Sequence, residues 1–197
     1  MAGNRTVRIR LTLIGIATVL GALSPNTEAL CRIREPPTAG CAYAPLLLVE
    51  EWSGWVLSRE NCDRTVAVAT FTSPPVVYFD RAAEDRLYTL LFLEPERPSA
   101  GRYALLWLVS NVPGSVLTTG MTYMDGDTVM DYHSPVLGNA DDEPTHYGFY
   151  LYEQIYGTIY PPTPASREDF DLDEWIGSLY PEGSLCTPVA SIGFGLM

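Results

Sequence analysis

Two apolar runs decide the fold of this chain: Tyr88-Thr-Leu-Leu-Phe-Leu-Glu-Pro-Glu-Arg-Pro-Ser99 and Leu105-Leu-Trp-Leu-Val-Ser-Asn-Val-Pro-Gly114. Runs of Leu, Val and aromatic residues that stop at Pro or Gly are typical of buried strands that lead into turns. The first run ends in Glu94 and Glu96, two carboxylates separated by a single proline. Because proline fixes its own φ angle, this strand end predicts one wall of a polar pocket.

Three later segments add to these runs: Thr145-His-Tyr-Gly-Phe-Tyr-Leu-Tyr-Glu-Gln154, Arg167 with Phe170, and Pro188-Val-Ala-Ser191 with Phe194. In this order the five pieces resemble the phosphatidylethanolamine-binding protein (PEBP) family. Its members carry a Tyr-Thr-Leu strand before Asp-Pro-Asp-x-Pro-Ser, and a Leu-His-Trp-Leu-Val strand that ends in Pro-Gly. The resemblance implies a mainly β fold, in which a large antiparallel sheet packs on a smaller sheet and a C-terminal helix lies at the flank.

The segments between these motifs fit a β-rich domain with one packed helix. Strands are predicted at Val66-Ala-Val-Ala-Thr-Phe71 and Val76-Val-Tyr-Phe79, and residues 46–56 form either a short helix or a strand. Ser166 is predicted to cap a helix of about three turns, whose apolar face includes Phe170 and Ile176.

The resemblance also names a candidate site, because the family binds anions with two aspartates, two histidines and a tyrosine. Glu94 and Glu96 stand where the aspartates would be, while Leu106 and Thr145 replace the two histidines. Tyr147 alone matches by identity. The predicted pocket wall consists of Glu94, Glu96, Leu106, Trp107, Pro135, Thr145 and Tyr147. We therefore expect a pocket that keeps its shape and binds phosphorylated head groups poorly.

Two histidines are candidates for the lost polar groups. His146 lies one position late, and an offset of one residue in a strand points the side chain to the opposite face unless a bulge shifts the register. His133 lies in Tyr132-His-Ser-Pro135, where the family has a loop over the pocket mouth. It either supplies a polar group to the pocket or is simply solvated.

The first 29 residues predict a secretory signal peptide, with Arg5, Arg8 and Arg10 before a 13-residue apolar stretch and Thr27-Glu-Ala29 at the cleavage site. An uncleaved anchor is the alternative. Cleavage would remove three of the 12 cationic residues and one of the 24 acids, which leaves 9 against 23 and a net charge near −14. Such an acidic chain is not expected to bind nucleic acid or anionic membranes, and no stable membrane insertion is predicted after cleavage. We expect a secreted protein with residues 30–65 as a leader and 66–197 as the PEBP-like domain.

All four cysteines, Cys31, Cys41, Cys62 and Cys186, follow the predicted cleavage site. An even number in an exported chain predicts two disulfides, and three pairings remain open. If all four pair within the chain, one bond must join the N-terminal part to Cys186. No metal site is predicted, because the cysteines lack zinc-finger spacing and Asp125-Gly-Asp127 lacks the pattern of a calcium loop. No cofactor is predicted either.

The sequence favours binding over catalysis. It has no Gly-x-Ser-x-Gly motif, and its cysteines are expected to pair. Glu94 and Glu96 would suit glycosidase-type chemistry, but a strand cap and an ion pair with Arg97 or Arg102 explain them better. The first hypothesis is a secreted ligand-binding or regulatory protein, whose candidate ligand is a small anion or a lipid head group.

The second hypothesis is a protein-interaction module with a vestigial pocket, such as an inhibitor of serine carboxypeptidases, since the family includes such inhibitors. Its partner would be an extracellular protein. Residues 156–164, hereafter the Pro/Tyr loop, are the candidate contact surface. Prolines limit the entropy lost on binding, and tyrosines supply contact area. An ordinary surface loop is the alternative.

Overall fold

The two decisive runs form a long antiparallel hairpin at the centre of a large sheet. The structure, a computed structural model, describes residues 40–67, 69–97, 101–136 and 144–196, apart from the side chains of Glu96 and Arg97. The strands are β1 (Ala44–Pro45), β2 (Leu47–Val49), β3 (Val56–Leu57), β4 (Thr65–Val66), β5 (Val76–Tyr78), β6 (Leu87–Arg97), β7 (Arg102–Pro113), β8 (Asp127–Met130), β9 (Thr145–Gln154), β10 (Phe170–Asp171) and β11 (Pro188–Leu196). The α-helices are α1 (Gly114–Thr119) and α2 (Leu172–Gly177).

The large sheet has eight strands in the order β1-β11-β9-β6-β7-β10, with β4 also on β11 and β8 also on β7. The expectation of a wholly antiparallel sheet is wrong, because β1 and β4 pair with β11 in parallel. Strand β11 has β9 on one side, and the N-terminal strands cover its other edge, which would otherwise expose unpaired backbone groups. The predicted smaller sheet is confirmed as the antiparallel order β3-β2-β5.

The central strands are apolar throughout because both of their faces are buried. On β6, Leu90 and Phe92 belong to a core cluster that includes residues of the small sheet, whereas Leu91 and Leu93 belong to a second cluster that includes residues of α2. This arrangement explains why the sequence shows continuous apolar runs there and not a strict alternation.

The predicted long helix is wrong. Helix α2 has six residues, and its N-cap is Asp171, whose side chain accepts a hydrogen bond from the Glu174 amide at 2.8 Å. Ser166 instead accepts from the Glu168 amide in a turn. Asp169 has φ 55°, and Phe170 pairs with Tyr103 as a strand residue, so the chain cannot continue a helix through these positions.

The predicted strand at 66–71 is largely wrong as well. Pairing ends at Val66, and Phe71 has φ 64° in a turn while its ring is fully buried. A left-handed backbone conformation does not fit an extended strand. Residues 46–56, for which a short helix or a strand was predicted, form strand β2 and the start of β3.

One disulfide ties the N-terminal part of the chain to itself: Cys41 and Cys62 are bonded, with their Cα atoms 6.1 Å apart. Cys186 is also disulfide-bonded, whereas Cys31 and the predicted signal peptide lie outside the described residues. The Asp63 amide donates to the Gly193 carbonyl at 2.8 Å, so this part of the chain is held against β11. Within the described ranges, no helix has the length and apolar character needed to cross a bilayer.

The Cys41→Ser/Cys62→Ser double variant is expected to lower the free energy of unfolding by about 3 kcal/mol, because the bond closes a loop of moderate length in the unfolded chain. Denaturant unfolding of the variant and the wild type measures this difference. Thiol counting on the denatured, unreduced wild type should find no free thiol. Four free thiols would contradict both the disulfides and an oxidising compartment.

Candidate functional site

A β-bulge in β7 shapes the predicted site. Phe92 pairs with Trp107 but Leu93 pairs with Leu105, so Leu106 is an extra residue on β7. As a result the consecutive residues Leu106 and Trp107 both belong to the core cluster that includes the small sheet, with exposed fractions of 6% and 1%. The position that matches a family histidine is therefore an apolar core residue.

Arg167 binds the carbonyl groups around this bulge. Its Nη1 atom donates to the carbonyl oxygens of Leu105 and Leu106 at 3.2 and 3.1 Å, and its Nη2 atom donates to that of Asp131 at 2.8 Å. The Leu105 amide in turn donates to the Arg167 carbonyl at 2.8 Å. A guanidinium with several donors in a fixed plane can satisfy carbonyls that a bulge leaves outside the ladder. The sequence motif gave no hint of this role.

Tyr147 and Glu94 lie together at the end of the paired region of β6 and β9. We call this place the strand-end site. This pairing runs as far as Leu93 and Gly148, and Glu94 follows next to Tyr147. The Tyr147 hydroxyl donates to the Val136 carbonyl at 2.6 Å and is also hydrogen-bonded to Glu94. Burial, and after it the Glu94 charge, raise the pKa of Tyr147 above its usual range, so the phenol stays neutral.

Residues 131–136 form a roof over this site. The Tyr132 hydroxyl donates to the Phe71 carbonyl at 2.6 Å, and its ring stacks on Phe92 with centroids 5.8 Å apart. The His133 amide donates to the Leu106 carbonyl at 2.8 Å, and Pro135 is buried. Sequence reasoning named Tyr132 only as a neighbour of His133, although an aromatic residue in the loop that the family places over the pocket was a usable signal.

The two predicted histidines and Thr145 are not part of the contact between Tyr147, Glu94 and Val136. His146 is exposed while its neighbour Tyr147 is buried, and the register between β9 and β11 does not shift at this point. The His133 side chain is exposed, and Thr145 is half-buried. The side chain of Glu96 lies outside the described part, so the acid pair of Glu94 and Glu96 has no described geometry.

The assembled site offers more acceptors than donors. Among the described residues, the polar groups that meet here are the Glu94 carboxylate, the Val136 carbonyl and the Tyr147 phenol, whose one proton is already engaged with these acceptors. A phosphate needs donors or positive charge, and it would meet a carboxylate here. The arrangement therefore disfavours a phosphorylated head group.

One group of described residues has the spacing of metal ligands: Cys41, Cys62 and Asp63. Because the two sulfur atoms are bonded to each other, they offer no thiolate to a metal. The acids of the predicted turn at 125–127 act as hydrogen-bond acceptors: Asp125 accepts from the Thr122 amide and hydroxyl, and Asp127 from Asn111.

The Pro/Tyr loop is fixed to the large sheet by two amide side chains. The Asn111 side chain accepts from the Ile159 amide at 2.9 Å and donates to the Ile159 carbonyl at 2.8 Å. Gln154, fully buried, donates to the Gly157 carbonyl and to Asn111, both at 2.8 Å. Tyr156 and Tyr160 are nevertheless exposed, by 58% and 89%. The loop thus presents two tyrosines from an ordered backbone.

A scan against protein-family models found no match. Among solved structures, the chain is similar to a structure described as carboxypeptidase Y inhibitor complexed with the cognate proteinase. The TM-score is 0.57 and the sequence identity is 16%, and the match covers 77% of this chain and 81% of that chain. That inhibitor is a PEBP family member, so the chain has a PEBP-like fold. At this identity the likeness concerns the fold alone.

Proposed function

We propose that this chain is a secreted, noncatalytic binding protein that recognises a protein partner through its surface and does not hold a phosphorylated head group in the strand-end site. The observation that carries the proposal is the hydrogen bond of the Tyr147 hydroxyl to the Val136 carbonyl, beside Glu94. It uses the one group that matches the family's anion site by identity. The first hypothesis, a ligand-binding pocket, is therefore kept only for ligands that carry no phosphate.

The charge of the site supports this choice. Glu94 is half-buried beside a neutral phenol, and the two residues that the resemblance matches to family histidines are the apolar Leu106 and the half-buried Thr145. Bringing a phosphate next to a partly desolvated carboxylate costs free energy, because like charges repel more strongly away from bulk water. A noncatalytic role is part of the proposal: the Glu94 carboxylate is a potential base, but the apolar Leu106 supplies no histidine to work with it.

Secretion is supported by two independent features of the chain. The predicted signal peptide addresses it for export, and the disulfides of Cys41, Cys62 and Cys186 persist mainly in oxidising compartments. The partner would then be an extracellular protein.

The Pro/Tyr loop is the proposed contact surface. Its backbone is already held by Asn111 and Gln154, so little loop entropy would be lost when a partner binds. Exposed tyrosines such as Tyr160 supply large contact area with few rotatable bonds. A protease of the carboxypeptidase class is the first partner to test, because the similar solved structure is an inhibitor complexed with its cognate proteinase.

Phosphorylethanolamine is expected to show no saturable binding to the wild type below about millimolar concentration in isothermal titration calorimetry. The physical reason is the Glu94 carboxylate together with the single, already engaged phenol donor. Glu94→Gln serves as the matched variant, because it removes the charge and keeps the size. Micromolar binding by the wild type that is lost in Tyr147→Phe would show that the anion site still works.

Carboxypeptidase Y is expected to be inhibited by the wild type, with a complex that co-elutes in size-exclusion chromatography. Tyr156→Ser/Tyr160→Ser should weaken inhibition by roughly tenfold or more, as loss of aromatic contacts does at protein interfaces. Tyr123→Ser is the control, since Tyr123 is also exposed, by 61%, and lies outside the loop. If the wild type neither inhibits the proteinase nor co-elutes with it at micromolar concentration, this partner class is rejected.

A further inference from the structure

An open groove lies beside α2, away from the strand-end site. Its volume is about 340 Å³, at the lower end of the range for small-ligand sites, about 300–1,000 Å³. One wall is the chain from Pro162 to Ser166, and the other is the exposed side of α2. Its lining residues include Arg102, Pro162, Pro164, Glu168, Phe170 and Trp175. None of the residues predicted for the pocket lines this groove.

The floor of the groove is aromatic and fixed in place. Trp175 donates from its indole Nε1 atom to the Pro162 carbonyl at 3.0 Å, which ties the helix to the opposite wall. The rings of Phe170 and Trp175 pack together with centroids 6.1 Å apart. Their exposed fractions are only 5% and 6%, so the groove reaches small parts of the two rings and no full ring face.

The rim of the groove is acidic. Among the described residues, four carboxylates line it, those of Glu168, Asp169, Asp171 and Glu174, against the guanidinium of Arg102. The Arg102 guanidinium is already engaged, since it lies 3.0 Å from the Asp171 carboxylate and donates to the Asp169 carbonyl at 3.1 Å. Glu168 and Glu174 are exposed and form no ion pair with residues of the described ranges. The groove therefore has an excess of negative charge that its own cation does not offset.

This chemistry selects the occupant. A carboxylate rim suits a cation with a flat face, because a guanidinium pairs with carboxylates through two hydrogen bonds that lie in one plane. An anionic group would be repelled, and a purely apolar group would leave the rim carboxylates with less water. An ammonium group gains the charge attraction but not the planar contact.

The groove is continuous with the proposed contact surface. Tyr160 is two residues before Pro162 and Tyr180 is two residues after Ser178, and both Pro162 and Ser178 line the groove. The two tyrosines are exposed by 89% and 87%. A polypeptide bound to the Pro/Tyr loop would reach Pro162 and Pro164, which line the groove, and the charge of the groove is opposite to that of a basic segment.

We infer that this groove binds an arginine-bearing segment of the partner protein, with the guanidinium between the carboxylates of Glu168 and Glu174. The inference rests on the proposed function, because it names the chemistry of the partner at one part of the contact surface. It assigns the acidic rim to recognition, in addition to the solubility that negative charge gives any secreted domain.

The test uses a five-residue peptide with two arginines and the same peptide with citrulline at both positions. Citrulline keeps the shape of arginine and removes its charge. Amide chemical shifts of the isotope-labelled protein are followed at low salt, and the arginine peptide should shift residues 162–178 and bind more tightly than the citrulline peptide. Glu168→Gln/Glu174→Gln should weaken binding about fivefold, and added salt should weaken it further.

Glu51→Gln/Glu84→Gln is the matched control, since it removes two exposed acids outside the groove and changes the net charge equally. Equal binding of both peptides, equal weakening by the two double variants, or shifts confined to other surfaces would overturn the inference. The carboxypeptidase Y assay separates the two proposals. A complex without peptide binding rejects the groove alone, and peptide binding without a complex rejects the proteinase alone.

Discussion

The contact on which the rest of the structure depends is the one between Arg167 and the bulge in β7. The bulge places Leu106 in the core, and Arg167 donates to the carbonyl groups of Leu105 and Leu106. The same guanidinium binds the Asp131 carbonyl, at the start of the roof over the strand-end site. A carbonyl without a donor costs free energy comparable to a lost hydrogen bond, so Arg167 stabilises the bulge together with the His133 amide, which also donates to the Leu106 carbonyl.

The same contact connects the strand-end site with the acidic groove. The Leu105 amide binds the Arg167 carbonyl, which places the chain that runs from the Pro/Tyr loop into β10 alongside β7. That chain is one wall of the acidic groove. On the other side of the bulge, the His133 amide binds the Leu106 carbonyl and keeps the roof over Tyr147. The fold thus maintains a strand-end site whose polar groups satisfy one another, and it presents an ordered outer surface.

The sequence predicted the parts of the fold that depend on local burial. The runs at 88–93 and 105–109 are apolar on both faces, so their place at the sheet centre could be predicted, and the motif around Tyr147 gave β9. The short α2 could not be predicted, because the left-handed conformation of Asp169 accompanies contacts with a distant strand, namely the pairing of Phe170 with Tyr103 and the hydrogen bond from Arg102 to the Asp169 carbonyl. The parallel pairing of β1 and β4 with β11 likewise depends on contacts between distant parts of the chain.

The candidate site was predicted less well than the fold. Sequence motifs identified Glu94 and Tyr147, whose side chains are in contact. They gave no sign that the Tyr147 hydroxyl would donate a hydrogen bond to a backbone carbonyl, that of Val136. Every residue has a backbone carbonyl, so the residue types in a sequence do not indicate which carbonyl will accept a hydrogen bond. The acidic groove was missed for a related reason. Its carboxylates look like an ordinary charged turn and helix until the fold sets them around Phe170 and Trp175.

The most direct test of this account is hydrogen–deuterium exchange at the His133 amide, which lies in a loop but is bound to the Leu106 carbonyl. If Arg167 and the bulge hold the roof closed, this amide should exchange within about tenfold of the central β7 amides. Arg167→Met should then accelerate its exchange while the Leu151 amide in β9 stays protected. Exchange of the wild-type His133 amide at the rate of an unprotected peptide would contradict the account, because the strand-end site would then be open to solvent and ligands.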